Sequence, residues 1–293
     1  MALSVLKDIR KIFAGLNADE VRDLAAQEIN VGLIAAGGST YRKMEDFLAP
    51  PALGGQARSR SLRAARSVEE SRLEQTRDYD FVLCEPGVPV PANGYVFEPG
   101  SEESLLRLIA EEREQLELPL ARTFPAFRPA VSRRIVSRVA RENALFSLVT
   151  ALPNVIPNLL ELPWAASEFA TDTAFLTTNQ VRMALLLAAA HGQPVGYREQ
   201  KAQIAGIVAG AFGWRAIARE LVGKIPLGGG LIPKAAVAFA GTYVVGLGLE
   251  KVNRTGARLT REERREAYAD AFARGREAVR ELAPGLQEED RVN

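Results

Sequence analysis

The stretch from about Arg128 to Val252 constrains this chain most. It is long, apolar and rich in small residues, yet polar residues recur in it at a few fixed points. Pro153, Asn154, Pro157 and Asn158 sit inside one apolar run. Thr177, Thr178, Asn179 and Gln180 open the next, and Gly228, Gly229 and Gly230 interrupt a third. The pattern is that of a helical module for an apolar setting, either a membrane or a tight helix bundle. It is not the pattern of a catalytic domain.

A helix that spans a bilayer needs roughly 20 apolar residues, with about 17 as the lower limit. Ala235–Leu249 falls short of that, although Lys234 and Lys251 at its ends could snorkel toward water. Its small residues Ala236, Ala240, Gly241, Gly246 and Gly248 would let another helix approach closely. Ala144–Leu160 is apolar too, but its two prolines and two asparagines are costly in lipid unless neighbours satisfy them. Arg215, Arg219 and Glu220 break the run Ile204–Leu221, and Arg182 breaks the start of Phe175–Ala190. The arginines before Ala144, namely Arg133, Arg134, Arg138 and Arg141, would lie on the cytoplasmic side by the positive-inside tendency. Membrane insertion and a soluble bundle with a very apolar core both remain open on this evidence. Trp164 and Trp214 fit interfacial anchors or core aromatics equally.

Hydrophobic residues make up 47% of the chain and the formal net charge is +1, so no global field would draw in nucleic acid. One cysteine, Cys84, excludes an internal disulfide and fits a reducing compartment. A single histidine, His191, far from it in sequence makes a zinc site or a Cys–His nucleophile improbable; neither metal nor cofactor is expected. The N-terminal residues 3–16 read as an amphipathic helix and not as a signal peptide, because charges alternate with the apolar residues. A membrane would therefore be reached from its cytoplasmic face.

The first 125 residues read differently. Asn30–Ala36 is an apolar run of strand length, followed by Gly37, Gly38, Ser39 and Thr40 and then by helical spacing over Tyr41–Leu48. This is a strand, glycine turn and helix in succession. Tyr79–Cys84 reads as a second strand and Tyr95–Phe97 as a third, with a charged amphipathic helix over residues 101–118. Residues 50–77 read as a loop followed by a solvated helix. The arginines there (Arg58, Arg60, Arg63, Arg66 and Arg72) form an exposed charged face or, alternatively, a patch for anionic lipid. The expected fold is α+β: a small N-terminal α/β domain of three to four strands over residues 1–125, a mostly α-helical domain over 126–258, and an amphipathic helix with a tail over 259–293.

Two constellations invite a chemical reading. Gly32 to Ser39 matches the phosphate-loop pattern G-x-x-x-x-G-K-[ST] at every position except the lysine, where Gly38 stands. Gly32 also lies inside the apolar strand, where a working loop has not yet begun. No Asn-Lys-x-Asp segment reads a guanine base. The Gly37–Thr40 turn is left as an anion-binding turn at a helix N-terminus. The second constellation is Asp172, Thr177, Asn179 and Gln180. It reads either as a polar cluster that grips a ligand or as helix capping plus buried amide bonds that fix helix register. His191-Gly192 reads as a helix C-terminus.

Residues 175–256 resemble the helical domain of unknown function of YcjF-type inner-membrane proteins, a domain also appended to some Era-like GTPases. The resemblance is carried by the L-T-x-N-Q segment Leu176–Gln180, the apolar helix closing on His191-Gly192, and the turn Ile225-Pro226-Leu227-Gly228 before the last apolar helix. It implies a decayed GTPase-like first half, which departs from a working GTPase at the lysine, the metal-binding acid and the base-reading motif. No nucleotide-binding residue is carried over. The expected function is that of a non-enzymatic, membrane-associated accessory or scaffold protein on the cytoplasmic face, in contact with lipid, a membrane protein or further copies of itself. A nucleotide-responsive switch or weak NTPase and a soluble, cytoplasmic helical oligomerisation scaffold are the alternatives.

Overall fold

The computed structural model describes residues 18–69, 74, 76–150, 172–209 and 231–282. The expected helix at 3–16, Arg72, the prolines and asparagines of 153–158, both tryptophans and the turns at 225–230 lie outside them, as do the larger parts of the runs 144–160 and 204–221. The fold is α+β, a small four-stranded parallel sheet followed by helices. The chain divides into two compact units. The first comprises Asp19–Arg134 with Ala188–Pro194; the second takes in Ile135–Leu187 and the chain from Val195.

In the first unit, α1 (Ala18–Ala26) leads to β1 (Val31–Ile34), α2 (Gly38–Leu48), α3 (Gly55–Arg63) and β2 (Ala65–Ser67). Strands β3 (Phe81–Cys84) and β4 (Gly94–Val96) and helices α4 (Glu102–Glu112) and α5 (Glu117–Thr123) follow. The strand order is β2-β1-β3-β4, with every pair parallel. A parallel sheet covered on both faces needs strands that are apolar throughout. That is why β1 (VGLI) and β3 (FVLC) are buried at every position. One face carries an aromatic cluster in which Phe47, Phe81, Phe97, Phe124 and Phe127 meet at centroid distances of 5.3 to 6.4 Å. The other presents Ile34, Val82 and Cys84 against Val68, Tyr79 and Val88. Gly32 lies on this second face. A Cβ there would stand 3.1 Å from methyls of both Val68 and Val82, so the glycine serves strand packing and not a loop.

Two local expectations are corrected. Residues 65–67 form a strand inside the segment read as loop and solvated helix; it is short, arginine-bearing and buried only at Ala65, so it carries no alternating apolar signal. The helix read over 101–118 ends at Glu112, and α5 begins separately at Glu117. The break falls at Arg113, whose backbone leaves the helical range (φ −111°, ψ 48°), and Glu114–Leu116 make a 3₁₀ turn before α5; Pro119 sits in the first turn of α5, where its missing N–H is not needed.

The second unit is helical. It holds the C-terminal part of α6 (Arg128–Val149), most of α7 (Asp172–Ala190), helical residues 201–209, α8 (Leu231–Thr255) and α9 (Arg261–Leu282). Helices α8 and α9 form an antiparallel hairpin whose joint is built by defined caps. Gly256 takes a positive φ of 73° and its N–H bonds the Val252 carbonyl at 2.8 Å, closing α8. Thr260 and Glu263 then cap each other reciprocally: the Glu263 N–H donates to Thr260 Oγ1 at 3.1 Å and the Thr260 N–H to Glu263 Oε2 at 2.8 Å. Lys251 reaches across from α8 to the same carboxylate, at 2.7 Å to both oxygens. Along the hairpin, Arg274 lies over the Tyr243 ring, and Gly275 lets Phe239 and the Ala236 carbonyl approach.

Glycines set the closest approaches of the helices. At Gly246 of α8 a Cβ would lie 2.6 Å from both Val136 methyls and 3.0 Å from Met183 Sδ. Real Cβ atoms do not come so close, so Gly246→Ala forces α8 away from α6 and α7. The expected loss is about 1 to 3 kcal/mol, the usual cost of overpacking. Val136→Ala in the same chain should recover part of it, which equilibrium denaturation of both variants measures; full stability of Gly246→Ala alone would contradict this packing.

Candidate functional site

The glycine turn begins where β1 ends. Gly37 stands at the N-cap of α2 with an extended backbone (φ −123°), and no side chain caps the helix locally. The donors of the turn are met instead by Glu85, the residue that follows β3. Its Oε2 accepts the Ala36 N–H at 2.7 Å and the Gly37 N–H at 3.3 Å, and its Oε1 accepts the Thr40 hydroxyl at 2.6 Å. The backbone carries Glu85 there: its own N–H bonds the Ile34 carbonyl at 2.8 Å and extends the β1–β3 ladder by one step. The carboxylate thus sits at the C-terminal ends of β1 and β3, where the strand order reverses. In open parallel sheets that crevice is the usual place for a ligand. The chain places one of its own anions there. Gly37 and Gly38 have open space where a Cβ would go, so neither glycine is held by a close approach. Of the four expected turn residues, Gly37 and Thr40 bond Glu85 directly, whereas Gly38 and Ser39 form the first turn of α2.

The polar cluster at the start of α7 resolves into a network inside the second unit. Asn143 of α6 is fully buried. Its Oδ1 accepts from Asn179 Nδ2 at 2.9 Å and its Nδ2 donates to Thr242 Oγ1 of α8 at 2.8 Å. Gln180 Nε2 donates to the same Thr242 oxygen at 3.3 Å. Three helices are therefore joined by amide and hydroxyl groups that are all at least nine-tenths buried. Thr177 is buried on the same helix, and the neighbouring Thr178 turns back on the Ala174 carbonyl at 2.8 Å. Asp172 is the first residue of α7; the position of its side chain lies outside the description. The sequence pointed to Asn179 and Gln180 but not to Asn143 or Thr242, which sit on other helices with nothing local to mark them.

Next to Asn143, Glu142 is held in a partly desolvated position that pushes its carboxyl pKa up, opposed by the nearby Arg182 and Arg138 guanidiniums. Arg182 Nη1 lies 3.5 Å from Glu142. The arginine that interrupts the apolar helix α7 thus meets a carboxylate on α6.

His191 closes α7 as expected. Gly192 adopts φ 71°, its N–H bonds the Ala189 carbonyl, and the Gln193 N–H bonds the Ala188 carbonyl, both at 2.9 Å. This is a Schellman end. The structure also pairs His191 Nε2 with Ser132 Oγ at 3.2 Å, a contact the sequence did not announce. Both residues are buried, at 8% and 2% exposure, so a substrate in solvent does not reach the pair. Cys84 lies in the sheet core, and burial pushes its thiol up to about 11, away from nucleophilic use. Among the described residues no group of three or more His, Cys, Asp or Glu could hold a metal ion.

No protein-family model, no curated protein and no solved structure matches this chain. The resemblance to the helical domain of YcjF-type proteins rests on the residue pattern alone.

Two expectations follow from this geometry. The Glu85 carboxyl titrates below the ordinary carboxylate range, first because Thr40 donates to it; desolvation opposes this, and the Ala36 and Gly37 N–H groups add to the lowering. A depressed folded-state pKa gives stability that is present above the unfolded value of about 4.3 and lost as pH falls through the folded one. Wild type should therefore melt above Glu85→Gln near neutral pH, with the gap closing in acid; a gap that stays constant down to about pH 3 would contradict the clasp. Separately, Asn143→Leu should destabilise the protein by about 2 kcal/mol or more, because it strands buried polar groups on two other helices. A double-mutant cycle of Asn143→Ala with Thr242→Val should show a coupling of roughly 1 kcal/mol by chemical denaturation; additive losses would mean the bond contributes nothing.

Proposed function

We propose that this chain is a non-enzymatic accessory or scaffold protein that works by contact at the cytoplasmic face of a membrane, with its helical unit as the contact module and without crossing the bilayer. Among the described residues one helix, Ile232–Thr255, is long and apolar enough to cross a membrane, and more than half of its most apolar window is buried by protein. The observation that carries the reading is what lies along it. Helix α9 runs back on α8, with contacts from Lys251–Glu263 to Gly275 against Ala236. Charged residues fill more than half of the 22 positions of α9. Each would cost roughly 3 kcal/mol at the centre of a bilayer. The sum exceeds anything one apolar helix returns, so the intact hairpin favours the membrane surface over its interior.

Two further observations support a role without catalysis. Glu85 fills the turn that would receive a phosphate, and the buried amides are spent on one another. A second reading, a soluble oligomerisation scaffold, is favoured by the half-buried stripe Val237, Ala238, Val245 and Gly248 on α8, which could meet another copy.

Fractionation of cells that produce the full chain tests the proposal. The protein is expected to sediment with membranes and to leave them in alkaline carbonate without detergent. Extraction only by detergent would mean that it spans. Recovery entirely in the high-speed supernatant, as a defined oligomer by light scattering, would overturn the membrane reading in favour of the scaffold.

A further inference from the structure

The sheet ends in two edge strands, β2 and β4, and the hydrogen bonds inside it fix which backbone groups point away from it. At β4, the Val82 N–H donates to the Asn93 carbonyl and the Phe97 N–H to the Cys84 carbonyl. Val82 stands opposite Gly94 and Cys84 opposite Val96, so the parallel pattern turns residues 93, 95 and 97 toward β3. Gly94 and Val96 face outward. The Gly94 N–H returns to the Pro91 carbonyl at 2.8 Å, which leaves the Gly94 carbonyl and both backbone groups of Val96 on the edge. At β2, the Val31 N–H donates to the Ala64 carbonyl and the Val68 N–H to the Leu33 carbonyl. By the same pattern Ala64, Arg66 and Val68 turn toward β1, and the backbones of Ala65 and Ser67 face outward. Among the described residues no further strand pairs with either edge.

The registers also sort the side chains. Arg66, Gly32, Val82 and Gly94 form one row across the sheet, and Ile34, Cys84 and Val96 the next row on the same face. On this face the β2 edge ends in an exposed arginine. The β4 edge ends in Val96, which is 39% exposed, with the exposed Glu98 two residues further on. Edge strands are commonly guarded against foreign strands by a charge or a proline. Arg66 gives β2 such a guard. Strand β4, Gly94-Tyr95-Val96, has neither and shows solvent an aliphatic side chain.

We propose that the β4 edge of one copy of this chain pairs in parallel with the β2 edge of a second copy, continuing the sheet from molecule to molecule. The Val96 N–H donates to the Ala65 carbonyl of the second copy, and the Val96 carbonyl accepts from its Ser67 N–H. The Ala65 N–H of the second copy meets the Gly94 carbonyl. This register sets Arg66 of the second copy beside Val96 on the same face, with its aliphatic stem over the valine and its guanidinium within reach of Glu98. The charges select unlike edges. Two β2 edges would gather two Arg66 side chains and two β4 edges two Glu98 side chains, whereas β4 against β2 brings opposite charges together. The contact is head-to-tail, so every added copy keeps one free edge and assembly is open-ended. Strands this short make it weak and dependent on concentration. The inference goes beyond the role proposed above: it holds with or without a membrane, and its surface is not the α8 stripe.

Sedimentation velocity of the full chain over a wide concentration range tests the pairing. The average mass of wild type should rise with concentration without settling at one stoichiometry. Val96→Pro and Ser67→Pro each remove an outward N–H and leave the bonds of the sheet intact, as proline on an edge strand does. Each variant alone should be monomeric. Mixed, they should form a dimer, because the intact β2 edge of the first meets the intact β4 edge of the second. Melting temperatures report whether both are folded. If a proline variant does not fold, the exposed charges carry the test: Arg66→Glu should weaken the association by roughly fivefold, the scale of one cross-strand charge pair, and Glu98→Arg added to the same chain should restore it. Wild type that stays monomeric at every concentration overturns the pairing, and so does a mixture of folded proline variants that does not dimerise. An oligomer that neither the prolines nor the charge reversal weakens overturns it too and leaves the scaffold reading to the α8 stripe, while the cell fractionation judges the membrane reading separately.

Discussion

One primary amide, that of Asn143, holds the helical unit to a single arrangement. Apolar helices rich in alanine, leucine and valine can slide and rotate against one another with little change in buried area. An amide that must be met on both its oxygen and its nitrogen cannot slide. Asn143 finds its donor on α7 and its acceptor on α8, and a shift of either helix by one residue would strand buried polar groups at about 1 to 3 kcal/mol each. The glycine at 246 works with it. By letting α8 approach α6 and α7 closely, it brings the Thr242 hydroxyl within reach, four residues earlier on the same helix. A polar network of this kind, fully met, specifies one packing among many of similar apolar energy.

The same economy of internal partners governs the small sheet. A parallel strand followed by a helix leaves N–H groups pointing into the crevice between strand ends. In nucleotide-binding proteins built on open parallel sheets, an outside anion meets them. Here the β1–β3 ladder extends one residue further and delivers a carboxylate to that place. The absence of a lysine at Gly38 and the presence of Glu85 act in the same direction. The donors of the turn are met by an anion from within the chain. A phosphate would have to displace a carboxylate that gives up three hydrogen bonds, without a lysine to favour the exchange.

Much of this was legible in the sequence, and the failures have physical reasons. Strands β1 and β3 were readable because a strand buried on both faces must be apolar throughout. The end of α7 was readable because glycine is nearly alone in tolerating the left-handed turn at residue 192. Asn179 and Gln180 stood out because amides inside an apolar helix are costly without partners. The partners did not stand out. Asn143 and Thr242 are 36 and 63 residues away from Asn179 in the chain, and nothing local marks their role. Glu85 was visible only as the nearest acid after a strand; that it points back to the preceding turn depends on strand order. Strand β2 was missed because an exposed, three-residue edge strand has neither alternation nor a continuous apolar run.

Helix α8 shows where composition misleads most. Read alone, its length and apolar character suit a bilayer as well as they suit a protein core, since both ask only that few charges face outward. What separates the two settings is the neighbour. Lipid would tolerate α8, but it would not tolerate α9 alongside, and the capping box at Thr260 with the Lys251–Glu263 bond ties the two helices together at their joint. A bilayer could receive α8 only after that joint opens and the charged helix leaves. The hairpin therefore turns a question about one helix into a question about two, and the charges of the second decide how deep the first can go.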